Sequence, residues 1–201
     1  MTARKKLLAT AANLIHTKGF NNTSVQDILD GSSVCRSNFY YHFDTKEQLG
    51  FEVFARRMRW WYGYVIKPSL DNEELSPSEQ VNVLLDKICA IGESSSGEMG
   101  CPFGNLAQEM SPIHEGFREA LSEFFENIVH RLEQCLDAGK ACGEFRDDLE
   151  SRRHAEFAIA QIQGSFLLRK THKDPGVMRR NIEMLREMIQ VHLRTTVRNQ
   201  S

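Results

Sequence analysis

Cys35-Arg36-Ser37-Asn38-Phe39-Tyr40-Tyr41-His42-Phe43 decides how the chain is read. Phe39 and Phe43 stand four residues apart, so on a helix they share a buried face, while Arg36, Ser37, Asn38 and Tyr40 point outward. A major groove admits one α-helix, polar side chains near its N-terminus reach base edges, and aromatic hydroxyls reach phosphates. Just before this stretch, Gly31-Ser32-Ser33 marks a tight turn. Ahead of the turn, Thr23 as N-cap with Gln26 at N3 predicts a capping box and a helix burying Val25, Ile28 and Leu29. A first helix is predicted over Thr2 to Lys18, with Leu7, Ala11, Leu14 and Ile15 on one face and Gly19 as its left-handed terminator. Two short helices joined by a turn, the second carrying the polar-aromatic face, make a helix-turn-helix. On the other side, Thr45 and Gln48 predict a second capping box. The helix they open carries Leu49, Val53, Trp60 and Tyr64 at intervals of four, seven and four.

Beyond residue 65 the pattern is helical throughout. Lys67-Pro68-Ser69 closes the long helix, and Ser76-Pro77-Ser78-Glu79 reads as a cap with Pro at N1 and Glu at N3. The helix so started is expected to bury Val81, Leu84, Leu85, Ile88 and Ile91, and Gly92 to Gly100 reads as a flexible loop. A short helix from Cys101-Pro102 to Met110 follows. Next comes a long one from Ser111-Pro112 to near Gly139, with Phe117, Leu121, Phe124, Ile128 and Leu132 on one face. Two more are predicted, about Leu149 to Lys170 and about Pro175 to Val197. Their stripes, Ala155, Ile159, Ile162 and Phe166, then Met178, Ile182, Leu185 and Ile189, hold more apolar residues than one buried face needs. With Gly164 allowing close approach, they predict a twofold four-helix bundle with a second copy, the alternative being that they only close the monomer core.

The totals fit a globular protein: 201 residues, 41% hydrophobic, 26% charged, mean hydropathy −0.43. No apolar run approaches the ~18 residues that span a bilayer. Arg4-Lys5-Lys6 before Leu7 to Ile15 has the outline of a signal peptide, but Asn13 interrupts it and the run continues as an amphipathic helix, so a cytoplasmic protein is expected. Net charge is −2, yet Met1 to Arg59 holds nine Lys/Arg against five Asp/Glu while the remainder holds 16 against 22. A basic first segment on an acidic body suits contact with an anionic polymer, and equally an ordinary scatter of surface charge. Five cysteines without a C-x-x-C pair make no disulfide framework, and seven histidines without short ligand spacing predict no metal site.

Thr23 to Leu49, above all SNFYYHFDTKEQL over 37–49, resembles the DNA-binding domain of the TetR family of bacterial transcriptional repressors. The family pattern has Ala-Gly-Val-Ser at the turn, where this chain has Ser32-Ser33-Val34-Cys35, and Cys35 is a weaker N-cap than Ser or Thr. The resemblance implies an all-α protein of about nine helices: a three-helix DNA-binding domain over 1–48, then a helical effector-binding and dimerisation domain over 49–201. It implies phosphate contacts from Thr23 and Lys46, base contacts from Arg36, Ser37 and Tyr40 beside Asn38, and backbone contacts from Tyr41 and His42. It further implies a homodimer joined through the last two helices on a palindromic operator, released by an inducer, with no cofactor and no membrane partner.

Gly100-Cys101-Pro102-Phe103-Gly104-Asn105-Leu106-Ala107-Gln108-Glu109-Met110 is the second distinctive stretch. Pro102 suits N1, which makes Cys101 the N-cap, and a thiol facing the positive end of a helix has its thiolate favoured. The stretch resembles one in a TetR subgroup with members answering electrophiles or small unsaturated acids, which makes Cys101 a candidate sensing thiol, modified covalently or lining an inducer pocket, as against a small buried residue at a tight turn. Trp60, Trp61, Tyr64, Phe103, Phe124 and Phe166 are the aromatic candidates for an inducer pocket, as against plain core. Two other functions compete. An enzyme using Cys101 as nucleophile lacks an evident base beyond His114, and an architectural DNA-binder would need no effector.

Overall fold

A computed structural model describes residues 1–94 and 98–193. Nine α-helices make up the described residues: α1 (Ala3–Lys18), α2 (Val25–Ser32), α3 (Arg36–His42), α4 (Lys46–Trp61), α5 (Pro77–Glu93), α6 (Pro102–Met110), α7 (Glu115–Ala141), α8 (Ser151–His172) and α9 (Gly176–Gln190). The one β feature among them is an isolated antiparallel bridge between Phe145 and Leu193. Predicted ends agree with these to within a few residues, the usual uncertainty where helices fray. The last helix, predicted to run to about Val197, ends at Gln190, where a turn leads Leu193 into the bridge with Phe145; part of the predicted loop (Ser95, Ser96, Gly97) and residues 194–197 of the predicted helix lie outside the described residues.

Local chemistry starts most of these helices. Thr2 accepts from Lys5 N–H at the head of α1. Ser76 and Glu79 form a reciprocal capping box at α5 with Pro77 at N1, as read from sequence. The second predicted box moves by one residue: Thr45 Oγ1 accepts from Gln48 N–H at 3.1 Å, but the Gln48 amide oxygen reaches Asp44 N–H. After Trp61 the helix widens into a π turn over Tyr62–Ile66, where Lys67 N–H meets Tyr62 C=O at 2.8 Å.

The chain packs as two compact units, Met1–Trp61 with Cys101–Glu123, and Tyr62–Gly100 with Phe124–Ser201. Packing therefore groups 49–61 and 101–123 with the N-terminal helices, whereas the functional division expected from sequence falls after residue 48. In the first unit, Leu7, Leu8 and Ala11 of α1 meet Ile28 and Leu29 of α2, Phe39 and Phe43 of the α3 segment, and Leu49 and Val53 of α4. Burying Phe39 and Phe43 contributes roughly 1.5–3 kcal/mol each, so the recognition segment is held by its back face. A second aromatic layer continues this core. Phe51 stacks on Phe117 at 4.2 Å, Phe20 meets Phe117 edge-on at 5.1 Å, and Phe103 takes the edges of Phe54 and Trp61. Gly50 makes room for it: a Cβ there would lie 2.5 Å from Phe20 Cε2.

In the second unit α5, α8 and α9 pack on one another. Here the sequence reading needs correction. Ala155, Ile162 and Phe166 of α8, with Met178, Ile182, Leu185 and Ile189 of α9, are buried within the protomer, and Ile159 is half-buried. They close the unit's own core. A different stripe is exposed: Phe157, Gly164, Leu167 and Leu168 on α8, and Met184 and Met188 of α9 with Val191 just after it. The residue types had suggested one apolar face per helix, but each helix carries two, and only packing tells which turns inward.

Candidate nucleic-acid interface and effector cleft

The cap of α2 is Ser24, not Thr23. Ser24 Oγ accepts from Asp27 N–H at 3.0 Å while the Asp27 carboxylate accepts from Ser24 N–H at 2.8 Å. The Ser24 hydroxyl and N–H hold the Asp27 carboxyl below its ordinary pKa. Thr23 is 1% exposed and its hydroxyl donates to Gly19 C=O at 2.7 Å, so it is spent inside the protein. Gln26, expected at N3, instead accepts from Arg36 Nη2 at 2.8 Å and donates to Asp30 at 2.7 Å. This chain of bonds orients the Arg36 guanidinium, and only the Gln26/Asp30 spacing of four hinted at it.

The next helix begins at Cys35 without a side-chain cap bond, as its residue type foretold. Its Sγ lies 3.2 Å from Ser37 Oγ, and that hydroxyl lowers the thiol pKa. Arg36, Ser37, Asn38, Tyr40 and Tyr41 are all exposed on this seven-residue helix, Tyr41 at 82%, over a fully buried Phe39. His42 is half-buried with its ring against Tyr41 at 4.9 Å. Lys46, also half-buried, places its ammonium 4.4 Å over the Phe20 ring and donates to Phe20 C=O at 3.1 Å. One of its N–H donors is therefore engaged within the unit.

Cys101 is the N-cap of α6, as predicted, with Sγ accepting from Gly104 N–H at 3.5 Å, and it is buried. Close by, the Arg57 guanidinium is half-buried; burial lowers its pKa, and the Cys101 sulfur acts the other way. A narrow cleft opens between α1 (Ile15, His16), α4 (Gly50, Val53, Phe54, Arg57) and α6 (Pro102, Phe103, Leu106), with Phe20 and Phe117 completing its walls.

Of the six aromatic candidates, Phe103 lines this cleft and Trp61 abuts Phe103; both are buried. Trp60 and Tyr64 do not belong there. They are 50% and 41% exposed, and the Lys87 ammonium sits over the Tyr64 ring at 4.6 Å. Their period from Leu49 is right, but eleven residues on, roughly 16 Å along the axis, the core that receives Leu49 is left behind. The helix is then covered by α6, on the side of Phe54 and Trp61. Phe124 and Phe166 are buried in the second unit.

Sequence reading missed Glu109. Its carboxylate, on the last turn of α6, accepts from Phe20 N–H at 2.8 Å and Asn21 N–H at 2.7 Å, clamping the α1–α2 loop from 88 residues away. Gly19, at φ 89°, lets the loop approach: a Cβ there would lie 2.9 Å from both carboxylate oxygens. No local signal announces such a pairing. Among the other cysteines, burial pushes Cys135 up to about 12 and raises Cys89, while Cys142 is exposed. No disulfide and no cluster of metal-ligating side chains occurs among the described residues. None of their helices is long and apolar enough to cross a membrane.

A family model described as "Bacterial regulatory proteins, tetR family" matches residues 7–53, and one described as "Tetracyclin repressor-like, C-terminal domain" matches residues 77–185. An uncharacterised HTH-type transcriptional regulator in the lacX 3′ region of Lactococcus lactis subsp. lactis is 32% identical over 183 residues, 91% of either chain. The HTH-type transcriptional repressor DhaR of Mycobacterium sp. (strain GP1) is 30% identical over 175 residues, 85% of this chain and 84% of that one. A crystal structure of a TetR transcriptional regulator from Chloroflexus aurantiacus J-10-FL superposes with a TM-score of 0.87 at 22% identity, covering 96% of this chain and 97% of that one.

Proposed function

Since the chain belongs to the TetR family of bacterial regulatory proteins, we propose that it is a homodimeric repressor, released from a palindromic operator by a small-molecule or electrophile signal. Its relatives are transcriptional regulators rather than enzymes. The observation that carries the reading is the exposed set Arg36, Ser37, Asn38, Tyr40 and Tyr41 on a helix whose Phe39 is buried. Arg36, Ser37 and Tyr40, beside Asn38, take base edges, and Tyr41, His42 and Lys46 take phosphates. The phosphate role expected of Thr23 passes to the exposed Ser24 and the first N–H groups of α2, where the helix dipole favours an anion.

Dimerisation uses the exposed apolar stripe of the last two helices. Phe157, Leu167, Leu168, Met184 and Met188 stand out of the protomer, and a Cβ at Gly164 would meet nothing within 4 Å, so a second copy can approach closely there. Twofold symmetry then sets two recognition helices on successive major grooves. An effector lowers operator affinity only by binding the DNA-incompetent state more tightly. Cys101, at the head of α6, is the sensing thiol of this scheme.

The test is binding to duplexes selected from genomic DNA over a range of salt. The expected result is selective, steeply salt-dependent binding of two protomers per site, weakened about tenfold or more by Arg36→Ala. Binding with no sequence preference would leave an architectural protein instead, and none at all would end the reading.

A further inference from the structure

Resting on the reading of Lys46 as a phosphate ligand, we infer that Glu109 is a positioning residue for DNA binding. Through the peptide unit that joins Phe20 to Asn21, it fixes the seat from which the Lys46 ammonium meets a backbone phosphate.

That one peptide unit carries opposite charges at its two ends. Its carbonyl, that of Phe20, accepts from Lys46 Nζ at 3.1 Å, and its N–H, that of Asn21, donates to Glu109 Oε1 at 2.7 Å. A cation on the oxygen and an anion on the N–H polarise the amide in the same sense, so each bond strengthens the other. The second Glu109 oxygen takes Phe20 N–H at 2.8 Å, which fixes the orientation of the unit, and Thr23 N–H reaches the same Phe20 carbonyl at 3.2 Å.

The seat itself is rigid. The Lys46 ammonium lies 4.4 Å from the centre of the Phe20 ring, which meets Phe117 edge-on at 5.1 Å and packs where a Cβ at Gly50 would stand 2.5 Å from it. Phe20 is buried, so ring face and carbonyl hold still together. A lysine ammonium has three donors; one is used on this carbonyl and two remain for an anion. A stem held in this way has less rotamer freedom to lose when a phosphate arrives. Asn21 also stands three residues before Ser24, so the same clamp sets the loop that leads into the head of α2.

Plain electrostatics gives Glu109 the opposite effect. It is an acid, half-buried, in the compact unit that holds the helix-turn-helix, and removing a negative charge from such a unit strengthens its attraction for DNA. A positioning role makes its removal weaken binding, and only where Lys46 is present.

The experiment titrates the full chain with duplexes selected from genomic DNA at several salt concentrations, at a temperature where every variant is folded by circular dichroism. Glu109→Ala weakens binding about tenfold at low salt and lowers the slope of log K against log salt by about one per protomer, the change that Lys46→Met also makes. In the Lys46→Met background, Glu109→Ala changes neither quantity. Glu109→Gln keeps an acceptor for Asn21 N–H and falls between wild type and Glu109→Ala. By NMR of the free protein, the Lys46 ε-methylene protons resonate upfield beside the Phe20 ring and return toward the ordinary lysine position in Glu109→Ala. If that variant does not fold, Glu109→Gln carries both measurements. Unchanged or tighter binding by the Glu109 variants, beside a weakened Lys46→Met, overturns the positioning role and leaves the phosphate contact standing. So does equal weakening by Glu109→Ala with and without Lys46 at an unchanged salt slope, which marks lost stability alone. Wild-type binding by Lys46→Met removes the phosphate reading of Lys46, and the role of Glu109 with it.

Discussion

Replacing Glu109 by alanine should detach the α1–α2 loop from α6. Two backbone N–H groups, of Phe20 and Asn21, then lose a charged acceptor at 2.8 and 2.7 Å. The Phe20 bond is partly buried and cannot be fully replaced by water, whereas the Asn21 bond is exposed and largely can. A sheltered bond to a charged acceptor is worth about 1.5–3 kcal/mol, and allowing little for the exposed one puts the loss at about 2–3 kcal/mol. For a chain of this length that corresponds to a fall in Tm of roughly 4–12 °C. Glu109→Gln keeps one acceptor and should lose about half as much. Gly19→Ala attacks the same clamp from the other side, because its Cβ would lie 2.9 Å from the carboxylate oxygens at a positive φ. The double variant should therefore be clearly less damaged than the sum of the singles. Urea denaturation gives the free energies, and amide exchange at Phe20 and Asn21 reports the clamp directly. Stability of Glu109→Ala within about 0.5 kcal/mol of wild type, with exchange at those amides unchanged, would refute the reasoning.

Other outcomes follow from the same geometry. On timed alkylation read by mass spectrometry at pH 8, Cys35 should be modified long before Cys135, whose thiol burial pushes up to about 12, and Ser37→Ala should slow Cys35 by removing the hydroxyl that lowers its pKa. Asp27 has a folded pKa below 3.8, so its capping contribution is fully present above that value and is lost as pH falls through the depressed one. Ser24→Ala should move the Asp27 NMR titration back toward 3.8, and the stability gap from wild type should shrink in acid; an unmoved titration would refute the box. Gly164→Arg projects into open space in the isolated protomer, so it should leave helical content intact while halving the mass seen by sedimentation, and a persistent dimer would place the interface elsewhere.

Structure set by neighbours in the chain was legible from residue types. The Ser76 box with Pro77, the Cys101 cap before Pro102, and the burial of Phe39 and Phe43 under an exposed polar row all stand as read. Even there, a shift of one residue escaped notice. Thr23 and Ser24 are both good caps, and the choice of Ser24 was made when Thr23 Oγ1 turned inward to Gly19 C=O. The helix-turn-helix was the most readable part because most of its contacts lie within a few dozen residues.

What the chain determined by itself was therefore periodicity and punctuation: helices, their caps, and the polar-aromatic character of Cys35 to Phe43. Tertiary structure alone decided which of two apolar faces on α8 and α9 is core, why Trp61 rather than Trp60 is covered, and that Glu109 holds the loop at Phe20 and Asn21. Arg57, unremarkable in a run of arginines, became distinctive only when packing withdrew it from water near Cys101. The physical reason is common to these cases. Hydrogen bonding within a turn is settled by residues three or four apart, whereas burial and ion pairing depend on whichever distant surface arrives, and that surface carries no mark in the local sequence.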